Sequence, residues 1–498
     1  MSRGMSVRGV PANQNMKPRG PIVTILGHVD HGKTTLLDYI RKTKVTEKEH
    51  GGITQRIGAY EISSGIKGYP TDKITFIDTP GHEAFSKLRA RGATVADIAL
   101  LIVDAKDSLM PQTEESIQHI KASKTPFIVV ANKTDLPDAA PDKIKIDLMK
   151  HSVLVEGRGG DVPFVEISAK TGKGVSELLE TILLLASHSA LEYDPDAAPE
   201  AYVIETHKDK RGVVVSALIK NGVIKRGQKV YSEGRECKVR ALTNDRGIQV
   251  AQVEPSTPFE ILGFNELPTV GSLLTESETA NLQAAAPETQ KKAFNIQSVL
   301  HTPTAEKRRL AVIIKADAHG SLEAINQTLE KNPAVDIILS SVGDINNADI
   351  FLAKSTKAIV IGFNTKPTGD VQELAKHEKV VVKTYNIIYD LLEELAEVAH
   401  LLQEKEEQEK SVKGEAKIAA TFVIEGETVF GVRVTKGKVN TGDHADLYRD
   451  AKKLGSTRLV SLRSRAKPVS EAKKDQEAGM LFEPKLDIKV GDVIKFIP

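Results

Sequence analysis

The sequence contains no tryptophan and a single cysteine, Cys237, among 498 residues. One cysteine cannot form a disulfide within the chain, so a disulfide-stapled fold is excluded and a reducing cytoplasm is the expected setting. The longest apolar stretches, such as 98–103 and 127–131, are far shorter than the ~20 residues of a membrane-spanning helix. No basic-then-apolar leader of the secretory type opens the sequence, so we expect a cytoplasmic protein without a membrane span.

Net charge is also almost absent, because 68 Lys and Arg residues offset 67 Asp and Glu residues. The distribution is nevertheless uneven. Residues 1–20 carry four basic residues and no acidic one, and residues 413–498 contain 17 Lys and Arg against 12 Asp and Glu. Such a basic excess favours a phosphate-bearing partner, although an ordinary solvated surface has the same composition.

The length is too great for one hydrophobic core and predicts several domains. Short apolar runs alternate with helical segments from Pro21 onward, which predicts a mainly parallel sheet covered on both faces. Two later regions contain short β-rich runs that are separated by turn residues, and each region predicts a small barrel. The fold class is therefore multidomain α/β and β. The predicted boundaries are a flexible basic tail (1–19), an α/β domain (20–190), a β-barrel (198–288), a small α/β parallel-sheet domain (289–385), a long connecting helix (386–412) and a C-terminal β-barrel (413–498).

One glycine-containing segment follows an apolar strand and precedes a helix that opens at Thr35: it reads Gly27-His28-Val29-Asp30-His31-Gly32-Lys33-Thr34. This is the context that a phosphate-binding loop requires. The glycines let backbone N–H groups turn toward phosphates, Lys33 neutralises the β and γ oxygens, and the Thr34 hydroxyl ligates Mg²⁺. The alternative interpretation is an ordinary glycine-rich turn.

A second motif stands at the end of the next apolar strand and reads Asp78-Thr79-Pro80-Gly81-His82. An acidic residue in this place can reach the same Mg²⁺, usually through a water. The N–H of Gly81 is then available to a γ-phosphate, and His82 could orient the attacking water. A histidine after a glycine is otherwise more often a surface residue.

Two further segments predict recognition of a guanine base: Asn132-Lys133-Thr134-Asp135 and Ser168-Ala169-Lys170. An aspartate at position 135 can accept hydrogen bonds from the N1–H and exocyclic amine of guanine, a donor pair that adenine lacks. Asn132 would brace the loop, Lys133 would lie over the base and ribose, and the serine loop would offer an N–H to the guanine O6. Each short motif is weak alone.

The order of these motifs decides the interpretation, because each occurs once and in succession at predicted strand ends. Thr54, in the loop between the first two strands, can complete Mg²⁺ coordination when the γ-phosphate is present. Loss of that phosphate would free the loop, which is the behaviour of a switch. The predicted ligands are therefore GTP or GDP with Mg²⁺, the metal being held by Thr34, Thr54 and Asp78.

These motifs resemble those of the translational GTPases and, within them, the family of bacterial translation initiation factor two. The resemblance covers roughly residues 20–400 and includes stretches outside the nucleotide site. Besides residues 27–34 it rests on Gly51-Gly52-Ile53-Thr54-Gln55, Asp78-Thr79-Pro80-Gly81-His82-Glu83-Ala84-Phe85, Met110-Pro111-Gln112-Thr113, Ile314-Lys315-Ala316-Asp317, Gly320-Ser321-Leu322-Glu323-Ala324 and Ile361-Gly362-Phe363-Asn364.

The resemblance implies a GTP-hydrolysing initiation factor that promotes binding of formylmethionyl initiator tRNA to the small ribosomal subunit and then subunit joining. Its implied partners are both ribosomal subunits with their RNA, the initiator tRNA and other initiation factors, and it would act as a monomer. Val29 and Ile53 resemble the apolar gate that flanks His82 and keeps it from positioning water before ribosome binding. Lys33 and Gly81 complete the implied catalytic set.

In the terminal barrel, the residues carried over for tRNA contact are Gly431, Arg433, Arg463, Arg465 and Gly479. The family's Gly-Cys and Glu-Cys-Gly stretches stand here as Gly431-Val432 and Glu477-Ala478-Gly479, which departs from the family pattern for formylmethionine recognition. A solvated barrel face is the alternative interpretation of the arginines.

Two other functions account for part of the sequence. An elongation-type carrier of ordinary aminoacyl-tRNA would share the GTPase domain and first barrel but would not explain residues 310–411. A ribosome-binding scaffold with a silent nucleotide site would carry damage at Lys33, Thr34, Thr54, Asp78 or His82, yet all five are present.

Overall fold

The computed structural model describes residues 15–42, 58–80, 83–278, 309–410, 412–424, 427–450, 452–464, 467–484 and 486–497. The chain divides into two compact units: the first ends within the long helix at Leu395, and the second comprises the residues from Ala396 onward together with a short stretch that ends at Leu310. No helix in these ranges has the length and apolarity to cross a membrane.

The first domain is a six-stranded sheet flanked by helices. Its strands are β1 (Lys17–Pro18), β2 (Ile22–Gly27), β3 (Gly58–Ser63), β4 (Lys73–Asp78), β5 (Ile98–Asp104), β6 (Phe127–Asn132), β7 (Phe164–Glu166) and β8 (Glu192–Tyr193). Its helices are α1 (Lys33–Arg41), α2 (Ser86–Val95), α3 (Pro111–Ser123), α4 (Pro141–Lys150) and α5 (Val175–His188), with a 3₁₀ turn at Glu83–Phe85.

The sheet order is β3-β4-β2-β5-β6-β7, while β1 and β8 pair separately. Strands from β4 to β7 run parallel, and only β3 is antiparallel to its neighbour. Every residue of β2 and β5 is buried, as expected for central strands covered on both faces. The predicted mainly parallel sheet is confirmed, and its loops converge at the carboxyl ends of β2, β4 and β6.

The second domain is antiparallel and encloses a separate apolar core that includes Cys237. Its main sheet has the order β15-β14-β17-β10-β9-β18. Burial raises the pKa of the Cys237 thiol to about 12, so this thiol is unreactive near neutral pH. The strands are β9 (Glu200–Asp209), β10 (Gly212–Asn221), β11 (Ile224–Lys225), β12 (Lys229–Ser232), β13 (Arg235–Lys238), β14 (Ala241–Asn244), β15 (Gln249–Val250), β16 (Gln252–Val253), β17 (Pro258–Leu262) and β18 (Leu273–Leu274).

The third domain is the smaller α/β layer, with strand order β20-β19-β21-β22. β19 runs parallel to β21, and β21 runs parallel to β22. The elements are β19 (Leu310–Ala316), α6 (His319–Glu330), β20 (Val335–Val342), α7 (Asn347–Thr356), β21 (Ile359–Phe363), α8 (Gly369–His377) and β22 (Val382–Tyr385).

The long helix α9 spans Ile388–Lys410, 23 residues and therefore roughly 34 Å. It is two residues shorter at each end than the predicted 386–412. The residues that repeat at three- and four-residue spacing form its buried face: Ile388, Leu391, Leu395 and Ala399.

The terminal barrel closes on itself, because β23 pairs with both β30 and β24 in the ring β23-β30-β25-β26-β29-β24. Its strands are β23 (Gly414–Ile424), β24 (Glu427–Asn440), β25 (His444–Arg449), β26 (Lys452–Ser464), β27 (Lys467–Pro468), β28 (Glu471–Lys473), β29 (Glu477–Glu483) and β30 (Val493–Ile497). The predicted fold class, multidomain α/β and β, is confirmed.

Candidate nucleotide-binding site

The segment between β2 and α1 adopts the backbone that a phosphate loop needs. Gly27 and Gly32 have φ values of 144° and 84°, which glycine adopts at little cost. Asp30 has a φ of 65°, in the left-handed region that aspartate tolerates better than most residues do. A Cβ on Gly27 would lie 2.4 Å from the carbonyl oxygen of Ile102 on the neighbouring strand. The loop therefore requires glycine here for two independent reasons.

The helix α1 presents an open amino terminus to this loop. Its N-cap is Gly32, which has no side chain to cap the helix, and its first turn contains no acidic residue. Backbone N–H groups and the positive end of the helix dipole are therefore available to an anion.

Lys33 is held inside the loop, with its side chain only 7% exposed overall. Its Nζ donates to the His28 carbonyl oxygen at 2.5 Å. Burial lowers the pKa of Lys33 to about 8, although the carboxylates of Asp78 and Asp30 oppose that shift. An ammonium that has already lost most of its water gains more from a phosphate than an exposed one would.

His31 packs beneath the surface of the loop and contributes no charge to the site. It is 1% exposed, and its Nδ1 lies 3.3 Å from the carbonyl oxygen of Ile102. Burial lowers the pKa of His31 to about 4, so the ring is neutral near pH 7. The N–H of Val29 donates to Gln112 Oε1 at 3.0 Å, a contact that sequence reasoning did not assign.

A cavity of about 230 Å³ lies beside the loop and is lined by Gly32, Thr35, Asn132, Lys133, Asp135, Leu136, Ala169 and Lys170. Both predicted base-reading segments therefore meet in one place. Asp135 is exposed to solvent, and a hydrogen bond with Ser168 and the charges of Lys170 and Lys133 lower the pKa of its carboxyl. The carboxylate is thus charged and ready to accept hydrogen bonds.

Asn132 joins the two halves of the site. Its Nδ2 donates to the carbonyl oxygen of His31 at 2.9 Å, and its Oδ1 accepts the N–H of Ala169 at 2.9 Å. Lys133 is paired through Nζ with Asp104 Oδ2 at 2.6 Å, so Asp104 at the end of β5 holds the lysine at the cavity wall. Sequence reasoning assigned the bracing role of Asn132 but missed Asp104.

Asp78, on the metal side of the site, lies close enough to Lys33 for its charge to act on the ammonium. This charge partly offsets the lowering of the Lys33 pKa by burial. Thr79 Oγ1 donates to the carbonyl oxygen of Ile25 at 2.6 Å, which fixes this segment against β2. In the described ranges no group of three or more His, Cys, Asp and Glu side chains could hold a metal. One carboxylate with hydroxyl and phosphate oxygens is the donor set that Mg²⁺ uses in nucleotide sites, so the residues present fit that ion.

Some predicted residues lie outside the described ranges: Ile53, Thr54, Gly81, His82 and Arg465. Val29, the other predicted gate residue, is half-buried. The assignments of the five stay predictions.

Three of the predicted tRNA-contacting residues, Gly431, Gly479 and Arg463, form one row across the strands of the terminal barrel, while Arg433 pairs with Lys417 and Glu477 in another. Gly431 pairs with Ala420 on one side and with Gly479 on the other, and Gly479 pairs with Arg463. Added Cβ atoms would lie 3.0 Å from Phe422 Cε2 at Gly431 and 3.2 Å from Val429 Cγ1 at Gly479.

The side chains that alternate with this row are buried in the barrel core. Val432 is 2% exposed and Ala478 is 7% exposed. Because side chains alternate along a strand, Gly431, Gly479 and the exposed Arg433 and Arg463 face outward. The replaced cysteine positions therefore belong to the core and not to the outer face.

Three stretches of the chain match models of known protein families. Residues 19–188 match the family model of the elongation factor Tu GTP binding domain, and residues 198–277 match that of elongation factor G domain 2. Residues 284–396 match the model of translation-initiation factor 2. This last match covers most of the region that an elongation-type carrier does not explain.

Curated relatives extend the match along nearly the whole chain. Translation initiation factor IF-2 of Halothermothrix orenii is 42% identical over 97% of this chain and 72% of its own length. The factor of the same name from Carboxydothermus hydrogenoformans is 41% identical over 97% of this chain, which spans 60% of that protein. The crystal structure of GDP-bound aIF5B from Aeropyrum pernix is 28% identical, covers 97% of this chain and 92% of its own, and has a TM-score of 0.48. The chain belongs to the translation initiation factor IF-2 family of translational GTPases.

Proposed function

We propose that the chain is a cytoplasmic initiation factor that binds GTP with Mg²⁺, promotes binding of formylmethionyl initiator tRNA to the small ribosomal subunit, and supports subunit joining. GTP is hydrolysed to GDP and phosphate when the ribosome assembles. The observation that carries the proposal is the convergence of the phosphate loop, Asp78 and the Asp135 cavity at the carboxyl ends of β2, β4 and β6.

Different residues of the candidate site would bind the phosphates and the base of the nucleotide. The N–H groups at the start of α1 and the Lys33 ammonium hold the phosphates, while Asp135 and the Ala169 loop receive the base. Asn132 keeps these two parts at a fixed separation through its bonds to His31 and Ala169. When bound, Mg²⁺ would neutralise negative charge on the phosphates, and Thr34, Asp78 and Thr54 are the residues that would hold it.

Hydrolysis is assigned to His82 and Gly81, with Val29 and Ile53 as the gate. His82 orients the attacking water, and the Gly81 N–H contacts the γ-phosphate. Lys33 neutralises charge that develops on the transferred phosphoryl group. Because the gate separates His82 from the water before ribosome binding, intrinsic turnover is slow and the assembled ribosome stimulates it.

The tRNA assignment is supported by a groove on the outer face of the terminal barrel, here called the glycine groove and defined by Ala420, Phe422, Gly431 and Gly479. Phe422 is 53% exposed although it is a large apolar side chain. Because Gly431 and Gly479 carry no side chains, Phe422 and Val429 approach their backbone closely. Arg463 pairs with Gly479 at the end of the same row. An apolar surface that adjoins a cation suits a small acyl-amino acid attached to an RNA.

The decisive experiment for this assignment measures binding of formylated and unformylated initiator tRNA to the full chain. We expect the parent to prefer the formylated form by about tenfold, because formylation removes a charge and adds a group that the glycine groove can bury. Gly431→Val should reduce this preference toward unity, because its side chain would enter the groove next to Phe422.

The matched control is Val490→Leu, an enlargement at a residue that is 62% exposed elsewhere in the barrel. It should keep the preference of the parent, and circular dichroism should show all three proteins folded. Equal binding of both tRNA forms by the parent would remove the formylmethionine assignment while leaving the GTPase assignment intact.

A further inference from the structure

Asp104 is the last residue of β5 and carries a carboxylate that is almost completely buried, with its side chain 2% exposed. Removing a carboxylate from water is costly unless its charge and hydrogen bonds are matched in the interior. Lys133 Nζ lies 2.6 Å from Oδ2, and the N–H of Lys106 donates to Oδ1 at 2.8 Å. The choice of a lysine from another loop as the charged partner indicates what Asp104 does.

The two partners belong to neighbouring strand ends. Asp104 is in register with Asn132, the last residue of β6, and Lys133 follows directly. Burial raises the pKa of the Asp104 carboxyl, but hydrogen bonds from Lys133 and from the Lys106 N–H outweigh this effect, and the pKa lies below its ordinary value. The carboxylate is therefore ionised near neutral pH and can hold the ammonium as an ion pair.

Lys133 begins a turn that needs support. Its φ of 63° lies in the left-handed region, which is unfavourable for a lysine. The next residue, Thr134, is bound to the carbonyl oxygen of Ile167 through its N–H at 3.2 Å and through Oγ1 at 2.9 Å. The residue after that is Asp135, which lines the cavity beside the phosphate loop. The ion pair with Asp104 therefore stabilises the turn that carries the predicted base-reading carboxylate.

The same ion pair restricts the side chain of Lys133, which lines the cavity and is 35% exposed. A lysine side chain has many rotamers, and fixing them when a ligand binds costs entropy. Because a buried carboxylate already holds Nζ, most of this ordering takes place before a nucleotide arrives. The aliphatic part of Lys133 is thus a preformed wall of the cavity.

We propose that Asp104 is a positioning residue for the guanosine part of the nucleotide: it anchors Lys133 at the cavity wall and acts without touching the ligand. The inference rests on the proposed GTP binding. Guanosine is common to GTP and GDP, so loss of Asp104 should weaken both nucleotides equally. The whole effect should also pass through Lys133.

The test measures the affinity of the full chain for GTP and for GDP in the presence of Mg²⁺. In Asp104→Ala the ammonium loses its anchor, and we expect the affinity for each nucleotide to fall about tenfold with the ratio of the two unchanged. Asp104→Asn keeps the volume and one oxygen acceptor but loses the charge. It should cause a smaller loss in the same direction, and it replaces the alanine variant if that protein does not fold.

A double-mutant cycle with Lys133→Met separates this role from a structural one. Methionine keeps much of the aliphatic chain but has no ammonium for Asp104 to hold. In the Lys133→Met background, Asp104→Ala should therefore not weaken nucleotide binding by more than about twofold. If Asp104→Ala weakens binding by the same factor in both backgrounds, Asp104 does not act through Lys133 and the proposal is wrong.

The matched control is Asp147→Ala, which removes another aspartate–lysine pair of the same domain, Asp147 Oδ1 with Lys150 Nζ at 2.7 Å. It should leave both affinities within about twofold of the parent. Equal losses in Asp147→Ala and Asp104→Ala, a loss confined to GTP, or unchanged binding by the folded Asp104 variants would each overturn the positioning role. Failure of the parent to bind either nucleotide would instead contradict the proposed GTP switch.

Discussion

Asp135→Asn should reduce the affinity for GTP by on the order of 10³-fold and shift the preference toward xanthosine triphosphate. The parent carboxylate is charged, lines the cavity beside the phosphate loop and can accept two hydrogen bonds from guanine. An amide presents one donor and one acceptor instead, so it mismatches the paired donors of guanine and matches the N–H and carbonyl of xanthine.

Competition binding with GTP, GDP, ATP and xanthosine triphosphate measures this change. Asp138→Asn is the matched control, because Asp138 is in the same connection but is 71% exposed and pairs only loosely with Lys106 at 3.7 Å. Its nucleotide preference should equal that of the parent. An Asp135→Asn protein that still preferred GTP as strongly as the parent would remove the base assignment.

His82→Ala should leave GTP binding within about twofold of the parent and slow ribosome-stimulated hydrolysis by about 10²–10⁴-fold, the range typical of a lost positioned acid–base group. Binding is spared because the phosphates are held by α1 and Lys33, and the base by the Asp135 cavity. In the proposed mechanism the histidine acts only on the attacking water.

Single-turnover hydrolysis with assembled ribosomes separates these two effects. His188→Ala, at the exposed end of α5, supplies a control in which one histidine is lost far from the proposed chemistry. The His82 assignment is wrong if the two variants hydrolyse GTP at the same rate as the parent.

Much of the geometry of the candidate nucleotide site could be predicted because its residues lie at the ends of apolar strands. Gly27, Asp78 and Asn132 are the last residues of β2, β4 and β6, and parallel strands bring their carboxyl ends to one edge. Motifs that are far apart along the chain therefore lie close together in the folded domain. Asn132 shows this most directly, since its predicted bracing role corresponds to two hydrogen bonds of 2.9 Å.

The supporting contacts could not be predicted, because they depend on side chains from helices that carry no motif of their own. Gln112 reaches Val29 from α3, and Arg89 reaches the Pro80 carbonyl from α2. Nothing in the spacing of these residues distinguishes them from ordinary helical polar residues. Only the packing of α2 and α3 against the sheet reveals their partners.

Strand β3 was missed for a different reason. Only Tyr60 is buried among its residues, and the others are partly or fully exposed, so Gly58–Ser63 does not form the continuous apolar run that marks the central strands. It pairs antiparallel at the sheet edge with β4. A strand that is buried on one face has a weaker apolar sequence pattern than a strand that is buried on both faces.

In the terminal barrel, the alternation of side chains along each strand decides whether a substituted residue faces the core or the outer surface. Val432 and Ala478 stand where the family pattern has cysteines. Each is next to a glycine that was predicted to contact tRNA. Alternation along β24 and β29 directs both side chains into the apolar core, while the glycines face outward. The departure from the family pattern therefore concerns core packing, and the outward-facing glycines are retained.

The most direct test of the account is calorimetric titration of the purified chain with GTP, GDP and ATP in the presence of Mg²⁺, with and without ribosomes. We expect one guanine nucleotide to bind per chain through the α1 terminus and the Asp135 cavity, and ATP to bind far more weakly. Absence of guanine nucleotide binding under both conditions would contradict the central claim.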